Sequence, residues 1–225
     1  MNALWTKEEL LAAVGGKAEG SFNANGVAFD SREIGQGDLF FAMKGEATDG
    51  HLFVDKAFTN GAAGAIVSEP IAYPHILVDD TMEALNALGE RTRAAGVRLA
   101  YPNHADEFTP FGGGPAGYDV LLDETDPALV SMELDVFWAV HAGHDPVDWL
   151  SRFPGRFPLL HVKDRAASGA MTDVGAGEID VARIIECAAQ GGLEHIVVEH
   201  DEPTDALASV RDSYAALARL GLRHS

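Results

Sequence analysis

Apolar residues fall into short blocks along this chain, and their spacing separates helices from strands. Trp5 to Val14 forms an amphipathic block with Thr6 placed as N-cap, Glu9 three residues on to complete a capping box, and Gly15-Gly16 as a stop. Val27 to Asp30 and Asp38 to Met43 are strand-like runs separated by a turn around Gly35 and Gly37. A helix is predicted from His51 to Asn60, ending at Gly61. Ala65 to Ser68 and Ile76 to Val78 are short apolar runs typical of buried strands, the second introduced by Pro74 and closed by Asp79-Asp80. Residues 1–80 are thus expected to form a small α/β domain.

The pattern then changes. A helix from Thr81 to Ala95, capped by Asp80 or Thr81, presents Met82, Leu85, Leu88 and Ala95 as an apolar face. Beyond Gly96, strands are predicted at Val97 to Tyr101, Val130 to Val136, Leu159 to Val162 and Ile196 to Val198. Helices follow them at Tyr118 to Glu124, Pro146 to Phe153, Val181 to Gln190 and Ala206 to Leu220. Four strands, each followed by a helix, imply parallel βαβ units. The expected α/β fold is therefore a small domain at 1–80, a junction helix at 81–95, and a (βα)4 half of a TIM-type barrel at 96–225. A closed barrel needs eight such units. A half barrel leaves two strand edges and an apolar face to cover, either by a second copy in a homodimer or by the N-terminal domain.

Composition is that of a globular protein, 47% hydrophobic and 23% charged. The formal net charge of -19 disfavours a nucleic-acid partner and suits a cation. Met1 to Leu11, with acidic Glu8 and Glu9, reads as neither a signal nor a transit peptide. No apolar run approaches the roughly 20 residues of a membrane span. Cys187 is the only cysteine, has no internal disulfide partner, fits a reducing cytoplasm and is read as a core residue.

Candidate chemistry centres on the run Leu159 to Asp164, Leu-Leu-His-Val-Lys-Asp, where the apolar residues of a strand stop at polar ones around His161. Three other strand ends carry a carboxylate at the matching place: Glu107 in Asn-His-Ala-Asp-Glu-Phe, Asp135 in Met-Glu-Leu-Asp-Val-Phe-Trp, and Glu199 in Ile-Val-Val-Glu-His-Asp. One carboxylate ending a strand commonly caps the next helix or faces water. Four such groups in successive βα units favour a metal site. Three carboxylates and an imidazole, with no thiolate, suit Mn2+, Co2+ or Mg2+. Lys163 and Arg165 read as solvated loop charges, or as holders of an anionic or hydroxyl group. His104, His200 and Asp201 are candidates to orient the ligands. Trp138 and Phe137 are core, pocket wall or substrate platform. His75, His141, His144, His195 and His224 are read as surface or turn residues.

Two resemblances carry these patterns further. Residues from about 3 to 90, through Asp30-Ser31-Arg32, Gly37-Asp38-Leu39-Phe40, Lys44-Gly45, Asp49-Gly50-His51 and Gly61-Ala62-Ala63-Gly64-Ala65, resemble the N-terminal domain of the Mur ligases that add D-alanyl-D-alanine to a UDP-muramoyl tripeptide. That domain holds the UDP end of the substrate, so the resemblance implies nucleotide contacts at Ser31, Arg32, Lys44 and His51. In the plainer reading, Gly45 and Gly50 form turns and Asp30 pairs locally with Arg32. No Walker-type Gly-x-x-x-x-Gly-Lys-Ser/Thr occurs; Gly112-Gly113-Gly114 runs into Pro115, so ATP-dependent ligase activity is not expected. A UDP-sugar or UDP-muramoyl-peptide binding module without turnover is the corresponding function.

Residues from about 86 to 225 resemble the C-terminal half of the sugar phosphate isomerase/epimerase family, the xylose-isomerase-like barrels. The carrying stretches are Tyr101 to Phe108, Glu133 to Trp138, His161-Val162-Lys163-Asp164, Gly175 to Asp180 and Val198-Glu199-His200-Asp201. The resemblance implies metal ligands Glu107, Asp135, His161 and Glu199, with Glu107 and Glu199 as the acid/base pair. Substrate-side candidates are His104, Trp138, Lys163 and Arg165. Pro102 departs from the family, which often has histidine there. Both patterns run through Leu85 to Ala95, so the chain reads as a chimera. The expected function is a divalent-metal-dependent isomerase or epimerase acting on a sugar or sugar phosphate, with activity weak or lost for want of the first half of the barrel. A folded chimera with no retained function is the remaining alternative.

Overall fold

The computed structural model describes residues 3–44, 49–110 and 115–221. Two compact units result, residues 1–99 with 110–130 and residues 100–109 with 131–225. Gly45, Gly112 to Gly114 and His224, singled out above, lie outside the described residues.

In the first unit, β1 (Trp5–Thr6) leads into α1 (Lys7–Val14). The capping box forms as expected: Glu9 N donates to Thr6 Oγ1 (3.2 Å) and Thr6 N donates to Glu9 Oε2 (2.9 Å). The helix starts two residues later than Trp5, because Trp5 and Thr6 are held extended against Ala24 and Asn23 of β3 (Asn23–Ala24). With β2 (Lys17–Glu19), β4 (Val27–Ala28), β5 (Leu39–Phe41), β6 (Gly64–Val67) and β7 (His75–Leu77), the unit builds a five-stranded sheet of order β2-β7-β6-β5-β4. Its strands are parallel except β2, which runs antiparallel to β7. Residues Leu39 to Phe41 and Gly64 to Val67 are buried along their whole length, the signature of a parallel strand covered on both faces. Gly64 is needed there, since a Cβ would come within 2.5 Å of the Phe22 ring.

Three helices complete this unit: α2 (Val54–Asn60), α3 (Thr81–Ala94) and α4 (Gly117–Glu124). Gly61 ends α2 in the left-handed region, at φ 118°. Asp80 caps α3, accepting from Met82 N and Glu83 N, and the helix buries Met82, Leu85 and Leu88 as its pattern predicts. The Asn86 amide donates to Glu124 O (3.0 Å) and accepts from Asp126 N (2.8 Å), fastening the end of α4 to α3. His75, read above as a surface or turn residue, is instead fully buried in β7, where Nδ1–H donates to Tyr73 O (2.7 Å). That carbonyl satisfies one of the two ring nitrogens, and the other, Nε2, is buried without a hydrogen-bond partner among the described residues.

The second unit is built on β8 (Leu99–Pro102), β9 (Val130–Asp135), β10 (Leu159–Val162) and β13 (His195–Val198), in sheet order β13-β10-β9-β8. Spatial order thus follows chain order, as in one arc of a barrel, and β10 runs parallel to both neighbours. Helices α5 (Val136–His141), α6 (Pro146–Arg152), α7 (Val181–Gln190) and α8 (Ala206–Arg219) form the outer layer. A short hairpin, β11 (Asp164–Arg165) with β12 (Met171–Thr172), separates β10 from α7. This is a mixed α/β, TIM-barrel-like architecture with parallel sheets.

Alternation along the strands decides what faces where. Val130, Met132, Leu134, Leu160 and Val162 are fully buried, while the residues between them point to the opposite face. Glu133 and Asp135 therefore share that face with His161, which lies directly beside Asp135 in register. β13 is less covered, with Val197 42% exposed. Cys187, read as core, is only half-buried on α7, with Sγ 3.8 Å from Ser151 Oγ. Among the described residues no helix is long and apolar enough to cross a membrane.

Candidate metal centre

Asp135, His161 and Glu199 converge at the C-terminal ends of β9, β10 and β13. Each offers one ligand atom, and these atoms lie within 4.8 Å of one another. Asp135 serves two purposes at once. Its Oδ1 accepts from Trp138 N (3.0 Å) and caps α5, a six-residue helix that starts where the sequence still reads as strand. Its Oδ2 faces the cluster, 3.8 Å from His161 Nδ1 and 3.1 Å from Lys163 Nζ. The backbone of Asp135 is held in turn by buried Asn103, whose Oδ1 accepts from Asp135 N (2.9 Å) and whose Nδ2 donates to Asp135 O (3.3 Å).

Lys163 is the largest departure from the expected picture. Far from a solvated loop charge, it is 1% exposed. Its ammonium reaches Asp135 Oδ2 (3.1 Å), Glu199 Oε2 (2.9 Å) and Asp201 Oδ1 (2.8 Å). The reason is the strand period: two residues beyond His161, Lys163 returns to the same face of the sheet and meets the carboxylates there. Burial by itself lowers the pKa of a lysine, but the charges and hydrogen bonds of Asp135, Asp201 and Glu199 outweigh it and hold this one above its ordinary value. Burial of Asp135 raises its carboxyl pKa, against the opposing pull of Lys163, the Trp138 N–H and His161. For His161, burial lowers the pKa, yet the Glu133 hydrogen bond and the charges of Glu133, Glu199 and Asp135 prevail and raise it.

The other expected ligand, Glu107, stands outside this group of three. It lies in a 3-10 turn (Asp106–Phe108), where Oε1 accepts from Tyr101 Oη (3.0 Å) and Oε2 from His104 N (2.8 Å). Trp138 does lie beside the cluster, its ring 5.9 Å from Lys163 Nζ and 5.7 Å from the His104 ring. Arg165 sits one step further, in β11, with Nε buried and without a hydrogen-bond partner. Asp201 joins through Lys163; His200 has a buried Nδ1 that finds no partner.

Two participants were not singled out from sequence. Glu133 Oε1 lies 3.0 Å from His161 Nε2, on the side of the ring away from the cluster. Asn103 is the other. For Glu133 the signal was present, since it stands two residues before Asp135 and period-2 alternation puts both on one face. For Asn103 only the three-dimensional structure supplies the partner.

The residues present fit a divalent cation. Two carboxylates and an imidazole form a hard donor set, and their three ligand atoms face one another within 4.8 Å.

In the first unit the four residues read as nucleotide contacts are engaged within the protein. Arg32 Nε donates to both oxygens of Asp30 (2.9 and 2.8 Å). Ser31 is buried, and its carbonyl accepts from Asn60 Nδ2 (2.7 Å). Lys44 and His51 come together around Glu69: Lys44 pairs with its carboxylate, and Glu69 N donates to His51 Nε2 (3.2 Å). His51 also accepts from Ser68 N (3.0 Å) and bonds Asp49 through Nδ1 (2.6 Å).

Known proteins resemble this chain in two ways. A sugar phosphate isomerase/epimerase from Parabacteroides distasonis superposes with a TM-score of 0.53 and 29% identity, covering 81% of this chain and 70% of that one. A second from the same organism gives 0.54 and 26%, over 69% and 58%. The UDP-N-acetylmuramoyl-tripeptide–D-alanyl-D-alanine ligase of Bacillus subtilis is 40% identical over 84 residues, 32% of this chain but 18% of the ligase. The counterpart from Escherichia coli is 34% identical over 111 residues, 48% of this chain and 24% of that protein. The chain thus spans less than a quarter of the length of either ligase. The family match runs from residue 58 to residue 220, most of the sequence: the chain belongs to the xylose isomerase-like TIM barrel family.

Proposed function

We propose that the second unit is a divalent-metal site of the sugar isomerase/epimerase type, in which Asp135, His161 and Glu199 hold the ion. The observation that carries this reading is the convergence of their three ligand atoms within 4.8 Å at neighbouring strand ends. Arg32, Lys44 and His51 already pair through their side chains with Asp30, Glu69 and Asp49, so the geometry favours the metal reading over UDP binding.

When bound, the ion supplies Lewis acidity toward a substrate carbonyl. The chain's residues do the rest. Lys163 offsets the like charges of Asp135 and Glu199, allowing two carboxylates to stand side by side at neutral pH. Asn103 and the cap on α5 fix Asp135 from both sides, so Oδ2 keeps its direction. Glu199, with one oxygen on Lys163 and a half-exposed side chain, is placed to exchange a proton with a carbon next to the carbonyl. Glu107, held by Tyr101 and the His104 amide, is the second carboxylate of the proposed acid/base pair. Trp138 and His104 provide a wall against which a sugar ring or chain can lie.

Calorimetric titration with Mn2+ tests this reading. The wild type binds with a stoichiometry near one, and His161→Ala and Asp135→Asn lose most of the affinity. An absence of binding in the wild type would sink it. Isomerisation of keto-sugars by the Mn2+-loaded protein, lost in Glu199→Gln, then identifies the substrate class.

A further inference from the structure

The two nitrogens of His161 face different carboxylates. Nδ1 looks into the cluster, 3.2 Å from Glu199 Oε2 and 3.8 Å from Asp135 Oδ2. Nε2 looks the other way, 3.0 Å from Glu133 Oε1. Glu133 and Asp135 are two residues apart on β9, so their side chains leave the same face about 6.5–7 Å apart. The imidazole, opposite Asp135 in register, spans that gap.

We infer that Glu133 is a positioning residue for the metal centre: it takes the Nε2–H of His161 and so leaves the Nδ1 lone pair facing Asp135 and Glu199 as the donor to the ion. This rests on the metal reading above. Neutral imidazole carries one proton and two places to put it. With Glu133 absent, the carboxylates beside the ring among the described residues are those at Nδ1, and they draw the proton there. A protonated Nδ1 is a hydrogen-bond donor and cannot ligate. Glu133 competes for that proton from the opposite side, and its side chain is only 15% exposed, so water does little to weaken the bond. Carboxylates acting on a ligand histidine in this way commonly change metal affinity by about 10–100-fold.

Two readouts test the assignment. The first is Mn2+ affinity by calorimetry for wild type, Glu133→Ala and Glu133→Gln. Alanine is expected to weaken binding about 10–100-fold, whereas glutamine, whose amide oxygen still accepts from Nε2–H, restores most of it. The second uses no metal: 15N chemical shifts of the His161 ring at alkaline pH report its tautomer. Wild type and Glu133→Gln are expected as Nε2–H, and Glu133→Ala as largely Nδ1–H. Unchanged affinity in Glu133→Ala, or an unchanged tautomer, overturns the inference. Should the wild type bind no Mn2+, the metal reading falls on its own, and the tautomer comparison still decides the role of Glu133. Circular dichroism checks each fold, and Glu133→Met, close in volume, replaces alanine if that variant unfolds.

Discussion

Replacing Lys163 by methionine removes a buried cation and leaves its volume nearly filled. At the observed 2.8–3.1 Å, each contact with Asp135, Glu199 and Asp201 amounts to about 5–6 kcal/mol of attraction at an effective dielectric near 20. Those attractions are offset by the several kcal/mol needed to desolvate the ammonium. Glu199 and Asp201 are partly exposed and screened, so the loss is dominated by Asp135, which stays buried without its counter-ion. Breaking such a pair from one side costs about 3–5 kcal/mol. With a urea m-value of about 2 kcal/mol/M, the midpoint falls by about 1.5–2.5 M at pH 7. The deficit depends on pH with a definite sign. Without Lys163, the Asp135 carboxyl rises further above its ordinary 3.8. Between that value and the raised one, the folded state binds a proton that the unfolded state lacks, so stability falls as pH rises through the window. The variant therefore recovers toward wild type as pH drops to about 4.5, and Mn2+ raises its midpoint more than it raises that of wild type. Urea titrations at pH 4.5 and 7, with and without Mn2+, measure all three. A midpoint within 0.5 M of wild type at pH 7, or a deficit independent of pH, would refute the reasoning.

Three further outcomes follow from the same geometry. Asn103→Leu strips the Asp135 backbone of both partners and is expected to cost about 2–4 kcal/mol by urea unfolding, with Mn2+ affinity reduced as well; retention of both properties counts against the clamp. The raised pKa of His161 contributes stability that is complete below about 6.5 and fades as pH rises through the folded value, so the advantage of wild type over His161→Gln, without metal, should shrink as pH rises above 6.5. An advantage that grows with pH contradicts it. Gly64→Ala drives a Cβ into the Phe22 ring and should destabilise by about 1–3 kcal/mol, with Phe22→Leu recovering part of the loss in the double variant.

What was legible from sequence, and what was not, follows from the range of the forces involved. Thr6 with Glu9, Asp80 before α3 and Gly61 after α2 were readable because capping is settled within three or four residues. The buried strands β6 and β10 were readable because an apolar run fixes burial wherever the partner lies. β1 and β3, two residues each, carry too little periodicity to be seen. α5 was hidden because Val136 and Phe137 extend the apolar run of β9, and only the Asp135 cap turns the chain. For Lys163, charge and flanking residues argue for solvent, whereas its burial depends on carboxylates 28 and 36 residues away, at Asp135 and Glu199. Glu107 follows a strand as the other three do, and what the sequence does not reveal is that Tyr101 and the His104 amide hold its carboxylate.

Next to Lys163, the chain uses a second buried side chain in the opposite sense. The Asp164 carboxylate accepts from the backbone N–H groups of Arg165 (2.8 Å), Gly175 (2.9 Å), Gly177 (3.0 Å) and Ile179 (3.1 Å). A Cβ on Gly177 would lie 2.2 Å from Asp164 Oδ1, so the loop is drawn in to backbone contact. One side chain thus ties together amides spread over fifteen residues, and those of Gly175, Gly177 and Ile179 share a single acceptor group. Their exchange with deuterium is set by a single event, the withdrawal of one carboxylate, and the protection of Gly175, Gly177 and Ile179 rises and falls together. The connection between β10 and α7 is, in kinetic terms, one latch.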